Sequence, residues 1–320
     1  MVKINPFKGI TYNYSKFDNP DDLLAPPYDV INPAYQDELY TKSEYNIVRL
    51  ILGKQFEDDI ESDNRYTRAK ADFDKFIKDG ALLQSVIPKI YFYKQIYKDS
   101  KAEEVTRKGF IARCYIEDFD SKQILPHEET MGGPKQDRFK LMSQTQCNLS
   151  QVFGVYSDPK KQVDQVLEDV LPEEPLVDVI DKDDVRHIFY EISDETAIAT
   201  AKKLMEDKKV LIADGHHRYE TALKYRNTMR SKVIDDTSEE TGYNNVMMYF
   251  ANMDDDGLRL YPTHRVLKKS VNCTLDQLKT KLEPYFDIQE VPFKKIEDAY
   301  RKMETFDPDK YPIGLISKYK

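Results

Sequence analysis

The stretch "VLIADGHHRYETAL", Val210 to Leu223, decides how the chain is organised. "VLIA" is a short apolar run of the kind that makes a buried strand, and Asp214-Gly215 ends it. "RYETAL" then opens a helical spacing that continues through "KYRNTMR". A strand passing through a tight turn into a helix is the repeating step of α/β folds, which bind ligands at the C-terminal ends of their strands. Asp214 falls at that end. Gly215 accepts a backbone conformation that other residues resist. The helix beginning near His217 offers backbone N–H groups and a positive dipole end to an anion. Arg218 adds a forked donor, and His216 and His217 can bind phosphate, carry protons or take a metal. A lone His or Arg here would read as a capped helix start; Asp-Gly-His-His-Arg in one turn reads as a site.

Outward from this stretch, strand and helix signals alternate, with hairpins among them. "KIYFYKQIYK" and "RKGFIARCYIEDF" alternate like two antiparallel strands around "DSKAEE". "NRYTRAKADFDKFIKDGALL" has helical spacing and a Gly80 stop. "YNIVRLILG", Tyr45 to Gly53, reads as a buried strand, as do "SQVFGVYSD", "VRHIFYEIS" and "NVMMYFANM". "KKQVDQVLEDVL" reads as a helix, and so does "DETAIATAKKLMEDK", capped by Asp194. "NPDDLLAPPYDVINP" is irregular, and Pro26-Pro27 fixes an extended path just before Asp29. The expected class is mixed α/β (α+β) with a mixed sheet. The polar stretch "SKVIDDTSEETGYN" suggests a boundary near residue 240, dividing the chain into 1–240 and a C-terminal α/β portion, 241–320. "YPIGLISKYK" reads as a strand and a charged turn, a point at which a final piece is expected to be missing.

Composition narrows the function classes. Apolar residues are 40% and charged residues 33%, which suits a folded soluble chain and excludes a disordered one. The net charge of −9 has no basic tail against it, so nucleic acid, which rewards clustered Lys and Arg, is not an expected partner. No apolar window reaches a membrane-spanning length and no secretory leader is visible, so neither a membrane nor export is expected; the cytoplasm is the default. Cys114, Cys147 and Cys273 are odd in number and widely spaced, unlike a disulfide framework or zinc site. "ANMDDDGLRL" lacks the glutamate that completes a calcium loop and reads as a hairpin turn at Asp256-Gly257.

A second polar cluster lies in "PHEETMGGPKQDR", Pro126 to Arg138. It joins His127, Glu128, Glu129 and Thr130 to two glycines, then to Lys135, Asp137 and Arg138. Glycines let backbone approach a ligand, Lys135 and Arg138 can neutralise phosphate, and Glu128 can take a hydroxyl proton. The P-loop spacing is absent, and the same residues also suit a solvated charged loop. A third piece, "YPTHRVLKK", adds His264 and Arg265 after a Pro-Thr turn. Four of the five histidines fall in these three pieces, which is hard to attribute to surface decoration. No serine-hydrolase elbow, zinc-protease motif or paired C-x-x-C is present.

"IADGHHRYETA" resembles the Asp-Gly-x-His-Arg signature of the ParB/sulfiredoxin-like superfamily, which includes free-serine kinases. The ordered set "APPYDVI", "HEETMGGPKQDR", "NLSQVFGVYSD", "DGHHRYETAL" and "YPTHR" is similar to domain-of-unknown-function family 1015. The resemblance runs from about Pro26 to the C-terminus; family members are usually longer. It implies a ParB/sulfiredoxin-like core with an N-terminal elaboration, and a kinase that phosphorylates free L-serine. The implied donor is pyrophosphate ahead of ADP or ATP, with Mg²⁺ expected. On this chain it implies Asp214 and His217 as catalytic, with Gly215, His216 and Arg218 around phosphate. Lys135 and Arg138 would add charge. Glu128, Asp29 and Asp214 all remain candidates for the base, and Asp29, His127, Thr130, His264 and Arg265 are placed around the substrate. The alternative is a ParB-like nucleotide-binding regulator without turnover, although no basic helix-turn-helix is visible. A sulfiredoxin-like redox enzyme would need a cysteine where Ala213 to His216 stand. A homodimer is left open.

Overall fold

The computed structural model describes residues 1–99, 101–128, 132–233, 236–259, 274–292, 295–303, 305–306 and 313–315. The chain divides into two compact units, Met1–Arg259 and Leu260–Lys320. In the first unit the elements run β1 (Ile4–Asn5), β2 (Ile10–Tyr12), α1 (Pro33–Lys42), α2 (Val48–Ile51), α3 (Arg65–Lys78), β3 (Leu82–Gln84), β4 (Ile90–Lys98) and β5 (Glu104–Tyr115). They continue with β6 (Ile124–Leu125), α4 (Gly132–Thr145), β7 (Val152–Tyr156), α5 (Gln162–Glu168), β8 (Val177–Ile180), β9 (Arg186–Ile192), α6 (Glu195–Glu206), β10 (Val210–Asp214), α7 (His216–Arg230) and β11 (Asn245–Asn252). The second unit contains α8 (Leu275–Leu282), begun by a Thr274–Gln277 capping box, and α9 (Ile296–Met303). The expected mixed α/β class is what the chain adopts. The expected strand in "YPIGLISKYK" lies outside the described residues except for 313–315, which carry no regular secondary structure.

One mixed sheet organises the first unit, in the order β6-β10-β7-β11-β5-β4-β9-β8, with β1 pairing β5 beyond the end of β4. β2 and β3 form a separate small sheet. The alternating segments Ile90–Lys98 and Glu104–Tyr115 pair antiparallel, Phe92 opposite Phe110, because period-two patterning gives each strand one face for each side of the sheet. Most neighbours are antiparallel, but β6 runs parallel to β10, and β7 parallel to β11.

One sheet face carries Phe92, Phe110, Val152, Tyr156, Ile212, Met248 and Phe250, covered by Val163 and Leu167 of α5, Ala201 and Met205 of α6, and Tyr219 and Ala222 of α7. α6 starts where Asp194 accepts from the Ala197 N–H at 2.7 Å, as its sequence predicts. α3 is capped by Asn64 and stopped at Gly80, whose φ of +68° is cheap only for glycine.

Two expectations change. "NIVRLILG" is not a strand. Val48–Ile51 form a short helix, because buried Asn46 accepts from the Val48 N–H at 2.9 Å and donates to the carbonyls of Asp22 and Leu24. A short apolar run fits either element, and the asparagine clasp decides this one. The boundary also moves, from near residue 240 to Arg259, because β11 is hydrogen-bonded between β7 and β5 in the middle of the sheet. The polar stretch before it is a bonded turn: Arg230 donates to Asn244 Oδ1 at 2.7 Å, and Asn245 donates to the carbonyls of Glu239 and Thr241. Among the described residues no helix is long and apolar enough to cross a membrane.

Phe250 of β11 is fully buried and stacks on Phe110 at 5.0 Å between ring centroids. Phe250→Ala is expected to lower the unfolding free energy of the whole first unit by about 3–5 kcal/mol. Urea titration followed by circular dichroism checks this; a strand belonging to a separate domain would leave the main transition in place.

Candidate functional site

β6 and β10 lie side by side and run the same way, so their C-terminal ends meet at one edge of the sheet. β10 passes into α7 through Gly215, and β6 is followed by His127, Glu128 and then α4. α4 and α7 also run parallel. Lys135 Nζ lies 2.8 Å from Glu220 Oε2, and the Thr221 hydroxyl donates to the Lys135 carbonyl at 3.4 Å. Farther along, Phe139 meets Tyr225 edge-on, with Lys224 Nζ 4.5 Å above the Phe139 ring. Partners therefore advance together along both helices, and both N-terminal ends face the edge where the two strands stop. A helix start carries partial positive charge and N–H groups that lack intrahelical partners.

Gly215 makes the turn possible in two ways. Its φ of +91° belongs to the left-handed region, and a Cβ there would lie 2.8 Å from Arg218 Nε. Arg218 can therefore fold back over the turn, pairing with the Asp214 carboxylate and donating to the Gln151 carbonyl just before β7. One guanidinium thus ties the end of β10 to the start of β7. Asp214 remains largely exposed.

His216 is buried beneath this turn. Its Nε2 accepts the His127 backbone N–H at 3.2 Å, so that nitrogen is unprotonated and the proton belongs on Nδ1, 3.7 Å from Glu128 Oε2. The His127 and His216 rings meet edge to face at 4.5 Å. Burial, reinforced by His127, pushes the His216 imidazole below its usual range, while Glu128 and Asp214 pull the other way. A neutral His216 is the result, serving as a proton carrier or polar contact. His217 stands half-buried on the same first turn of α7.

Arg138 behaves differently from the expectation of a phosphate ligand. It is buried, and its guanidinium donates to the Ile51 carbonyl at 2.8 Å and to Asp137. Its plane lies 4.0 Å from the Tyr28 ring centroid. Arg65 and the Tyr66 hydroxyl of α3 hold the same Asp137 carboxylate. Burial alone would raise Asp137, but Arg138, the Tyr66 hydroxyl and Arg65 hold it below the usual carboxylate range. Arg138 is therefore a strut between α4, α2 and the Pro27–Val30 turn. Burial raises the Tyr28 hydroxyl, and the charges of both Arg138 and Arg218 pull it back. Asp29, the next residue, is exposed there.

The structure thus gathers Asp214, Gly215, His216, His217, Arg218, His127, Glu128 and Lys135 at one edge, with Tyr28 and Asp29 alongside. Thr130, His264 and Arg265 lie outside the described residues. Sequence reasoning missed Tyr28, Arg65, Tyr66, Glu220 and the Gln151 carbonyl, which carried no local signal; Asp137 stood in the second polar cluster beside Arg138.

The depressed His216 gives a stability signature. Above the ordinary histidine range His216 is neutral whether the chain is folded or unfolded. Below it the unfolded chain takes the proton first, so stability falls as pH drops from about 6.5 toward the folded pKa. His216→Gln is expected to flatten this loss, seen as a smaller difference between urea midpoints at about pH 7 and pH 5.5. An NMR titration placing His216 at or above the ordinary value would contradict it.

The family model described as Protein of unknown function (DUF1015) matches residues 4–315. No curated protein and no solved structure matches the chain. The chain belongs to the DUF1015 family.

Proposed function

We propose that this DUF1015 chain is a small-molecule kinase that transfers a phosphoryl group to the hydroxyl of free L-serine, giving O-phosphoserine. Pyrophosphate is the preferred donor, ahead of ADP or ATP. The observation that carries the reading is the convergence of two parallel helix starts and two parallel strand ends on one edge furnished with Lys135, Arg218, Glu128 and Asp214. Phosphoryl transfer asks chiefly for alignment and neutralisation of charge, and that inventory supplies both. The choice of serine rests on the resemblance of "DGHHR" to the superfamily that includes free-serine kinases.

In this reading the donor's phosphate oxygens lie on the first turn of α7, near Gly215 and His216, with Lys135 and Arg218 as counter-charges. Both cations already have carboxylate partners, Glu220 and Asp214, so an arriving anion competes for them or joins them in a shared network. The serine Oγ–H bond breaks as the Oγ–P bond forms and the donor P–O bond breaks. Glu128 takes the hydroxyl proton, and its neighbour His216 Nδ1 is positioned to steady the carboxylate. Asp214 and His217 act at the phosphoryl group, and Asp29 and His127 contact the acceptor.

Among the described residues no group of three or more His, Cys, Asp or Glu side chains could hold a metal ion by itself. In this reading Mg²⁺ would be carried mainly on donor phosphate oxygens, with Asp214 or Glu128 adding a carboxylate. The ion would supply neutralisation of the phosphate charge.

Purified protein incubated with L-serine, Mg²⁺ and each donor in turn is expected to yield phosphoserine, detected by phosphorus NMR or mass spectrometry. Absence of product with every donor overturns the reading, and calorimetric nucleotide binding without product would instead favour a ParB-like regulator. Asp214→Asn and His217→Ala are each expected to lower turnover about 100-fold or more with circular dichroism unchanged.

A further inference from the structure

Asp164 of α5 is fully buried, and its Oδ2 has no hydrogen-bond partner. Its Oδ1 accepts from the Tyr156 hydroxyl of β7 at 3.1 Å, and that tyrosine is fully buried as well. An ionised carboxylate in this position leaves charge on an oxygen that no donor meets, whereas the acid leaves a neutral one. Oδ2 is closed off from solvent, so the partner it can take is a proton. Burial pushes the Asp164 carboxyl up to about 6; Asp255 and Glu168 add to this, while the Tyr156 hydroxyl and Lys108 pull back.

The charges around Asp164 come from every element packed near it. Lys108 of β5 is the cation that acts on it, yet Lys108 Nζ is already 2.5 Å from Glu168 Oε2 and 4.0 Å from Asp255. Lys94 of β4 holds the other Glu168 oxygen at 3.0 Å and lies 5.9 Å from the Tyr190 ring centroid of β9. Burial alone would raise Glu168, but Lys108 and Lys94 hold it below the usual carboxylate range, so it stays charged. Lys161 pairs with Asp255 and Asp256, and Lys208, just past α6, pairs with Asp158 at 3.2 Å. Lys202 of α6 turns to Asn5 Oδ1 at 2.6 Å, and Lys203, Glu206 and Asp207 are exposed. Burial raises the Tyr249 hydroxyl of β11, and Asp164 and Asp255 add to it. α5 itself spans Gln162–Glu168, too short to hold its shape without tertiary ties. Its start is fixed by Asp158 Oδ2, which accepts the Val163 N–H at 3.0 Å, and its end by Glu168 on the two lysines.

We propose that Asp164 is a proton-operated switch between α5 and the sheet. Carrying its proton, Asp164 lies neutral against Tyr156, Lys108 stays on Glu168, and α5 is latched at both ends. When the Asp164 O–H bond breaks, the electron pair stays on the carboxylate and the proton passes to water. The new charge then draws Lys108 away from Glu168, which keeps Lys94 alone, and the end of α5 loosens from β5. The proposal is independent of phosphoryl transfer.

Unfolded, Asp164 titrates at its ordinary value of 3.8; folded, it titrates at about 6. The stability its proton contributes is therefore full below the unfolded value and is lost as pH rises through the folded one. Asp164→Asn keeps a neutral side chain at every pH. Urea unfolding of the full chain and of this variant is expected to show their ratio of unfolding constants growing about tenfold from pH 5 to pH 7. His216 is present in both chains and cancels. Hydrogen exchange of the α5 amides, relative to the variant, is expected to speed up severalfold over the same interval. Carbon NMR is expected to show a carboxyl signal that titrates above the ordinary aspartate range, is missing from Asp164→Asn, and moves to higher pH in Lys108→Gln. A role in packing alone would not move that midpoint. A constant ratio of unfolding constants, or unchanged relative exchange of α5, would overturn the switch. Should Asp164→Asn fail to fold, Lys108→Gln decides alone: a raised midpoint supports the switch and an unmoved one overturns it.

Discussion

Everything at the candidate site depends on a parallel ladder of two residue pairs, Val210 with Ile124 and Leu211 with Leu125. A ladder this short cannot hold two strands together by its own hydrogen bonds. It is braced from α7. The Tyr219 hydroxyl donates to the Glu117 carbonyl at 2.8 Å and accepts the Glu117 N–H at 3.0 Å. Buried Arg226 donates to the Ile116 carbonyl at 2.7 Å and pairs with Asp118. The chain that becomes β6 is thus clamped by the helix that β10 feeds. Glu128 and Asp214 reach the same edge because this clamp fixes where both strands stop.

A second brace works from the other side. Asp137 is shared by Arg65 and Arg138, and Arg138 presses on Tyr28, so α3, α4 and the Pro27–Val30 turn form one polar unit. Removing the shared carboxylate would leave two arginines facing each other in a partly buried space, the costly half of any buried ion pair. The brace therefore fixes the approach to the site and adds positive potential in a chain whose net charge is −9.

What the sequence made legible follows the range of the forces involved. The strand–Gly215–helix step, the β4–β5 ladder and the Asn64 and Asp194 caps all rest on residues a few positions apart, and periodicity reports those well. Val48–Ile51 was not legible, because buried Asn46 takes its partners from Asp22 and Leu24. The pairing of Tyr28 with Arg138 joins segments far apart in the chain, and no local pattern encodes it. The polar run before Asn245 resembles a linker in composition. Its hydrogen bonds to Asn244 and Asn245 appear only once β11 is in the sheet. At the site, the residue types were legible, but their partners were not: Arg218 on Gln151 and His216 under the His127 amide are tertiary facts.

The central place of β11 has a consequence for how the molecule assembles. Among the described residues β11 is the last strand of the sheet in the chain, yet it alone joins β6-β10-β7 to β5-β4-β9-β8. Before residues 245–252 arrive, the nascent chain can hold only two half-sheets, with the edges of β7 and β5 unpaired. Such edges invite foreign pairing, and ladders that must wait for distant sequence close slowly. β7, whose start anchors Arg218, gains its second neighbour only at that late step. The edge where ligand chemistry would occur is therefore completed among the last parts of the first unit, so a chain interrupted before Asn252 carries the motif residues without the frame that aligns them.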